Sequence, residues 1–234
     1  MLLSRLREQV LEANLELVRR GLVLYTFGNA SGISRDQKLV VIKPSGVPYE
    51  EMKPEHLVVT DLEGQIVEGS LRPSSDLPTH LVLYQAFPEI GGVAHTHSEY
   101  ATSWAQARRA IPCFGTTHAD YFHGPVPVTG VMKDSEIVSE YEKNTGHAIV
   151  RAFEKVDYAA VPAVLVANHG PFAWGPDPAA AAHNAVILEA VARMAFFTTT
   201  IDAESQPVGG GLHDKHYLRK HGSKAYYGQA KEKK

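Results

Sequence analysis

The first apolar pattern in the chain is a stripe of residues spaced three and four apart, consisting of Leu6, Val10, Ala13 and Leu17. This spacing places the four side chains on one face of an α-helix. Ser4 is a suitable N-cap, and Gly21 is a suitable stop because glycine readily adopts left-handed backbone angles. The pattern therefore predicts an amphipathic helix between these two residues.

Short apolar runs separated by turn residues predict two hairpins, with strands at residues 22–27, 39–42, 57–60 and 65–67. Small residues at 28–32 predict a turn after the first strand, and the polar residues 35–38 complete the connection to the second. Residues 61–64 contain aspartate and glycine, which are typical of hairpin turns.

Longer apolar patterns predict helices at residues 78–87, 99–108 and 178–200, and one or two helices at 134–156. Two further strands are predicted at 90–97 and 163–167, and the segment 111–131 is predicted to consist mostly of loops. The chain has no internal repeat and no charge-rich linker, so we expect one domain. Hairpins mixed with covering helices favour α/β or α+β layering over a strict βαβ series.

Composition narrows the range of partners. The chain has 234 residues, a formal charge of −3, 44% hydrophobic residues and 21% charged residues. These values suit one large domain and give no reason to expect nucleic acid or an anionic membrane as a partner. No apolar stretch reaches the roughly 18 residues that a membrane span needs. The charged N-terminus lacks the continuous apolar core of a signal peptide. We therefore expect a soluble cytoplasmic protein.

Cysteine and histidine are used unequally. The chain has one cysteine, Cys113, and twelve histidines. A single cysteine excludes an internal disulfide and fits a reducing compartment. It also excludes Cys-rich zinc sites, so any metal would be held by imidazole and carboxylate groups.

Four residues at the ends of predicted elements could hold such a metal. His95 and His97 lie two residues apart at the end of a predicted strand, so they point to the same face. His169 follows another apolar run, and Asp76 stands at a predicted helix start, where its ordinary role would be an N-cap. Together they match a His-carboxylate metal site, but spacing alone does not bring them together.

Three loops combine small residues with hydroxyl or charged groups, at Gly28–Asn29, Lys43–Gly46 and Ser74–Ser75. Such loops can present backbone N–H groups and hydroxyls to an anion, although ordinary turns use the same residues. Asp120 lies in a polar segment, and Tyr226 and Tyr227 lie in the C-terminal segment. Carboxylate and phenol groups are candidates for proton transfer.

The chain resembles the L-ribulose-5-phosphate 4-epimerases in six segments, GNASGIS, VIKPSG, RPSSDLPTHLVLYQAFPEIGGVAHTHSEYAT, GTTHADYF, NHGPFAWG and HYLRKHGSKAYYG. These enzymes are part of the superfamily of zinc-dependent class II aldolases. The likeness extends over residues 1–228, which we expect to form the epimerase domain. Residues 203–211 and 231–234 match no pattern of the family, and residues 229–234 are expected to form a charged tail.

The resemblance implies a single three-layer α/β/α domain with a central, largely antiparallel sheet. It also implies a homotetramer in which active sites lie at subunit interfaces and a neighbouring subunit contributes part of each site. The implied metal ligands are Asp76, His95, His97 and His169, for zinc or another divalent metal such as cobalt or manganese.

The resemblance also implies roles in catalysis and substrate binding. Asp120 and Tyr227 are the implied acid/base pair. The implied contacts to a phosphorylated ketopentose are Gly28, Asn29, Lys43, Ser45, Gly46, Ser74, Ser75, His216 and Arg219.

The implied reaction interconverts L-ribulose 5-phosphate and D-xylulose 5-phosphate by retro-aldol cleavage and re-addition across C3–C4. A class II sugar-phosphate aldolase of the fuculose-phosphate type is the close alternative. The resemblance implies a glutamate in those aldolases where this chain has Asp76. The C-terminal segment resembles that of the epimerases. Both features favour epimerisation. A non-catalytic adducin-like module is the third alternative, against which the complete ligand set argues. The sequence does not identify the metabolic pathway.

Overall fold

The structure is a computed structural model that describes residues 1–227. Its first helix, α1 (Ser4–Arg19), buries Val10, Ala13 and Leu17, so the predicted amphipathic stripe is confirmed. Ser4 is the first helical residue and Leu3 occupies the cap position. Gly21 follows the helix with a φ of 70°, as expected for a glycine stop.

Seven strands are β1 (Gly28–Ser34), β2 (Leu39–Ile42), β3 (Val58–Asp61), β4 (Ile66–Glu68), β5 (Gly92–Thr96), β6 (Ala163–Leu165) and β7 (Pro171–Gly175). They form one sheet in the order β4-β3-β2-β1-β5-β7-β6. Each adjacent pair is antiparallel, which confirms the predicted antiparallel sheet.

The remaining α-helices are α2 (Leu77–Ala86), α3 (Glu99–Gln106), α4 (Thr116–Ala119), α5 (Asp134–Ile137), α6 (Tyr141–Ala152), α7 (Pro178–Ile201) and α8 (Gly210–His221). Two short 3-10 helices cover Tyr49–Glu51 and Pro54–His56. Helices α1 and α7 pack together, and so do α2 and α6.

Two neighbouring residues of β1 show that these helix pairs cover opposite faces of the sheet. The hydroxyl of Ser31 lies 2.8 Å from the hydroxyl of Tyr84 in α2. A Cβ added to Gly32 would lie 2.8 Å from Leu6 of α1 and 2.7 Å from Pro178 of α7. Because successive strand residues point to opposite faces, the sheet lies between two helical layers. The predicted three-layer α/β/α arrangement is confirmed.

The first predicted strand and turn are wrong. Residues 22–27 form turns with an isolated bridge between Leu24 and Phe27, whereas the predicted turn at 28–32 belongs to strand β1. The small residues that suggested a turn instead allow close packing, since Gly32 leaves space for two helices. The first hairpin therefore joins β1 and β2 through residues 35–38.

The sequence analysis also missed β7 and α8. No strand was predicted at residues 171–175, but Pro171 begins a strand that is buried along its whole length. Helix α8 has no buried residue, so it offers no apolar stripe to detect. Residues 134–156, where one or two helices are predicted, form two, α5 and α6. The expected tail at 229–234 lies outside the described residues.

Helix α7 is long and apolar enough to cross a membrane by length and composition alone, which the sequence analysis did not anticipate. Its alanines at 181, 182, 185 and 192 are buried, and the helix packs along β5, β7 and α1. This packing accounts for the apolar residues on the buried face of the helix.

Candidate active site

A cavity of about 390 Å3 lies at the end of β5, next to the start of β1. All four predicted metal ligands line it. So do the seven predicted substrate residues of the three loops, Gly28, Asn29, Lys43, Ser45, Gly46, Ser74 and Ser75. The fold therefore brings together groups that the sequence could only consider separately.

The sheet explains how the three histidines meet. His95 lies on β5, His97 follows β5, and His169 precedes the antiparallel neighbour β7. The end of β5 consequently lies beside the start of β7. One ligand nitrogen from each ring lies within 4.8 Å of the others, and the ring centroids are 4.8–5.1 Å apart.

The imidazoles are oriented and uncharged. His95 Nδ1 donates to the carbonyl oxygen of Pro171 at 2.9 Å, and its ring stacks on Phe172 with centroids 4.1 Å apart. This hydrogen bond leaves Nε2 of the neutral ring as the ligand atom. Burial lowers the pKa of all three histidines, and that of His169 falls to about 3. Metal binding requires the neutral form.

Asp76 supplies a carboxylate beside these rings. It occupies the N-cap position of α2, yet its side chain makes no cap hydrogen bond. Its Oδ2 instead accepts from Nδ2 of Asn29 at 2.6 Å. Burial alone would raise its pKa, but His95, His80 and the Asn29 amide outweigh burial and lower the pKa. Three neutral imidazoles beside one carboxylate fit the donor set of a divalent metal such as zinc.

A second group of metal-binding residue types lies elsewhere, at His123, His213 and Asp214. The two imidazole rings are stacked, with an angle of 10° between their planes and centroids 4.9 Å apart. A metal lies near the plane of each imidazole that binds it, and two parallel stacked planes do not meet at one point. This geometry does not suit joint coordination, which distinguishes the group from the histidines in the cavity.

Lys43 places a buried amine in the cavity wall. The residue is 2% exposed, and burial lowers its pKa to about 8. Its Nζ donates to the carbonyl oxygen of Pro44 at 3.1 Å. Within residues 1–227, no carboxylate lies within 4.0 Å of this amine. A buried cation without an acidic partner suits an anionic ligand such as a phosphate.

The cavity also contains residues that the sequence analysis missed. Tyr141 and Glu142 enter from the start of α6, and Thr26 and Phe27 enter from the turn before β1. The hydroxyl of Tyr141 lies 3.4 Å from Nδ1 of His169. No motif marks these positions, because only the packing of α6 on α2 brings them to the metal group.

The remaining predicted site residues form a separate cluster around Asp120. Arg219 donates from Nε and an Nη to the two carboxylate oxygens at 3.0 and 2.7 Å, and His216 Nδ1 lies 3.1 Å from Oδ1. The ring of Tyr227 lies against Arg219, with 4.7 Å between the guanidinium carbon and the ring centroid.

The charge of Asp120 follows from these contacts. Burial alone would raise its pKa, but the hydrogen bonds from Arg219 and His216 outweigh burial and lower it. The carboxylate is therefore ionised at neutral pH. Neither Asp120 nor Tyr227 lines the metal cavity of its own chain, so one copy contains the two groups apart.

The fold and cavity agree with a known family. Residues 8–196 match the Class II Aldolase and Adducin N-terminal domain, so the chain belongs to this family. An L-fuculose 1-phosphate aldolase of known structure superposes with a TM-score of 0.79 and 26% identity, covering 94% of this chain and 97% of that one.

The names of similar curated proteins specify an activity within this family. The chain is 52% identical to "L-ribulose-5-phosphate 4-epimerase UlaF" of Salmonella paratyphi B, over 97% of this chain and all of the relative. The protein of the same name from Salmonella typhi is also 52% identical over the same shares. The resemblance inferred from the sequence is therefore confirmed.

Proposed function

We propose that this chain catalyses the metal-dependent interconversion of L-ribulose 5-phosphate and D-xylulose 5-phosphate. The observation that carries the proposal is the cavity itself, in which an imidazole-carboxylate group adjoins a buried lysine that has no acidic partner within residues 1–227. The full-length similarity to proteins named as this epimerase supports the same choice. The buried free thiol of Cys113 is compatible with a cytoplasmic enzyme.

Two parts of the cavity would bind the two ends of the substrate. Asp76, His95, His97 and His169 would hold the metal, which we propose is zinc. A metal bound there supplies a Lewis acid for the carbonyl and neighbouring hydroxyl oxygens of the ketose. Lys43 and the hydroxyls and N–H groups of the three loops would bind the phosphate at the other end.

The C4 hydrogen of the substrate is not acidic, so inversion requires another route. A base takes the proton of the C4 hydroxyl, the C3–C4 bond breaks, and its electrons form the enediolate of dihydroxyacetone. Glycolaldehyde phosphate rotates, C3 adds to the opposite face of its aldehyde, and an acid protonates the new C4 alkoxide. No atom is lost, and only the configuration at C4 changes.

Asp120 and Tyr227 would provide the base and the acid, one on each face of the aldehyde. We propose that they come from a neighbouring copy in a homotetramer, with His216 and Arg219 beside them. Support comes from the separation of this cluster from the metal cavity of its own chain. Exposed Phe196, Phe197 and Ile201 on α7 are suited to subunit contact. The Asp120 carboxylate is ionised at neutral pH, so it can accept a proton.

An aldolase is the second candidate, because the L-fuculose 1-phosphate aldolase shares the fold and 26% of its residues with this chain. Incubation with L-ribulose 5-phosphate separates the two activities. The epimerase proposal expects D-xylulose 5-phosphate, whereas an aldolase would release dihydroxyacetone and glycolaldehyde phosphate. Accumulation of the cleaved products without the epimer would overturn the proposal.

A further inference from the structure

Tyr49 lies behind the cavity wall, where it contacts two of the residues assigned to phosphate binding. It begins the first 3-10 helix, is 3% exposed and does not line the cavity. Lys43 Nζ lies 4.7 Å from the centroid of its ring. Its hydroxyl donates to the carbonyl oxygen of Gly28 at 2.8 Å.

The ring contact determines where the Lys43 amine can lie. The face of an aromatic ring attracts a cation, and the attraction grows when water is excluded. Lys43 is buried and has no carboxylate partner within the described chain, so the Tyr49 ring and the Pro44 carbonyl oxygen are its two recorded polar contacts there. Together they hold a flexible side chain in one position before an anion arrives.

The hydroxyl of Tyr49 contacts a second part of the cavity wall, the backbone of Gly28. Gly28 starts β1 with a φ of 125°, and a Cβ at this position would lie 3.0 Å from the carbonyl oxygen of His95. The next residue, Asn29, bonds both Ser74 Oγ and Asp76 Oδ2. The carbonyl that Tyr49 fixes therefore belongs to the backbone that joins the phosphate loops to the metal group.

We propose that Tyr49 is a positioning residue for phosphate binding, with its ring fixing the Lys43 amine and its hydroxyl fixing the Gly28 backbone. The proposal rests on the function proposed above for the cavity. A fixed amine and a fixed backbone lower the ordering cost of binding, so the effect belongs to affinity for the phosphorylated substrate. The chemical step at C3–C4 does not involve either contact.

Two variants separate the contacts. Tyr49→Phe keeps the ring and removes the hydroxyl, whereas Tyr49→Met keeps an adaptable apolar side chain and removes both contacts. Leu57→Ala is the matched control, because Leu57 belongs to the same small apolar cluster as Tyr49 and does not line the cavity. It reports the effect of lost packing alone.

The measurements are KM and kcat for L-ribulose 5-phosphate, and the Kd of inorganic phosphate by calorimetry. We expect Tyr49→Met to raise KM and the phosphate Kd about tenfold, with kcat within about threefold of the original. Tyr49→Phe should raise KM and the phosphate Kd about threefold each, because only the contact with the Gly28 backbone is lost. Leu57→Ala should leave both constants within about twofold.

If KM and the phosphate Kd rose equally in Tyr49→Met and Leu57→Ala, Tyr49 would act only through packing and the proposal would be overturned. If Tyr49→Met does not fold, the nearly isosteric Tyr49→Phe still decides, because an unchanged KM contradicts the hydroxyl role. Lys43→Met separates this proposal from the one on which it rests. Phosphate binding that is lost in Lys43→Met but kept in Tyr49→Met refutes only the role of Tyr49. Phosphate binding unaffected by Lys43→Met refutes the phosphate site itself.

Discussion

At the scale of single residues, the cavity depends on imidazoles that stay neutral. His95, His97 and His169 owe their lowered pKa to burial first. The sequence could nominate all three from residue type and position at strand ends. It could not show that Asp76 makes no cap bond, because a helix start predicts a cap equally well.

Replacing one imidazole tests the metal group. His97→Asn should abolish turnover and lower the zinc content of the purified protein, because the donor set loses one of its three imidazoles. Metal analysis and an epimerase assay give the two readouts. His147→Asn is the control, since His147 is exposed on α6 away from the cavity. Full activity of His97→Asn without bound metal would refute the assignment.

A buried histidine outside the cavity predicts how stability depends on pH. Burial lowers the pKa of His118 to about 4, and its Nε2 donates to the Gly124 carbonyl oxygen at 2.8 Å. Between pH 6.5 and 4 the unfolded chain binds a proton that the folded chain does not, so stability falls as pH falls. The slope is at most about 1.4 kcal/mol per pH unit for this residue.

His118→Gln should remove that part of the slope while retaining a donor for Gly124. Urea unfolding at pH 7, 6 and 5 measures the free energy of unfolding of both proteins. The difference between them should change steadily over this range, in favour of the variant at the lower pH. If the free energies of unfolding of the two proteins changed equally with pH, His118 would titrate alike in the folded and unfolded chain, and the prediction would be wrong.

At the scale of elements, strand ends and helix starts carry the site. The helix after His97, α3, has its first backbone N–H groups bound by a carboxylate from α7. Glu189 accepts from the N–H of Tyr100 at 2.8 Å and of Ala101 at 2.9 Å. A negative charge at this end also complements the helix dipole. The clamp fixes the direction in which the chain leaves β5 and therefore supports His97.

Glu189→Gln should weaken this clamp, because the amide group has only one acceptor oxygen for the two N–H groups. We expect the free energy of unfolding to fall by about 1–3 kcal/mol and zinc to bind less tightly. Denaturant unfolding and zinc titration measure the two effects. Glu204→Gln, on an exposed loop, is the control. Equal stability and zinc affinity in both variants would show that the clamp contributes nothing.

Elements also show where local patterns are insufficient. The segment from Gly28 to Gly32 has the composition of a turn, but it lies in strand β1. Gly32 has no side chain, which lets α1 and α7 pack closely against the strand. Strand β7 was missed because its proline suggested a break, although it fills the space between β5 and β6. Both outcomes depend on tertiary packing, which single-sequence propensities do not contain.

At the scale of the whole molecule, one chain contains two clusters of candidate site residues that do not share a cavity. The four candidate metal ligands and Lys43 line one cavity, whereas Asp120 lies in a cluster with Arg219 and Tyr227. Sequence motifs nominated both groups, but only the resemblance to a family suggested that two copies combine them. Symmetric assemblies make such shared sites possible, because each interface repeats the same pairing of surfaces.

The most direct test of this account mixes two inactive variants, His97→Asn and Asp120→Asn, under conditions that allow subunits to exchange. Each mixed interface can pair an intact metal cavity with an intact Asp120. Random mixing in equal amounts should restore about a quarter of the original conversion of L-ribulose 5-phosphate to D-xylulose 5-phosphate. A mixture no more active than its separate components, with mixed tetramers verified by mass spectrometry, would contradict the account.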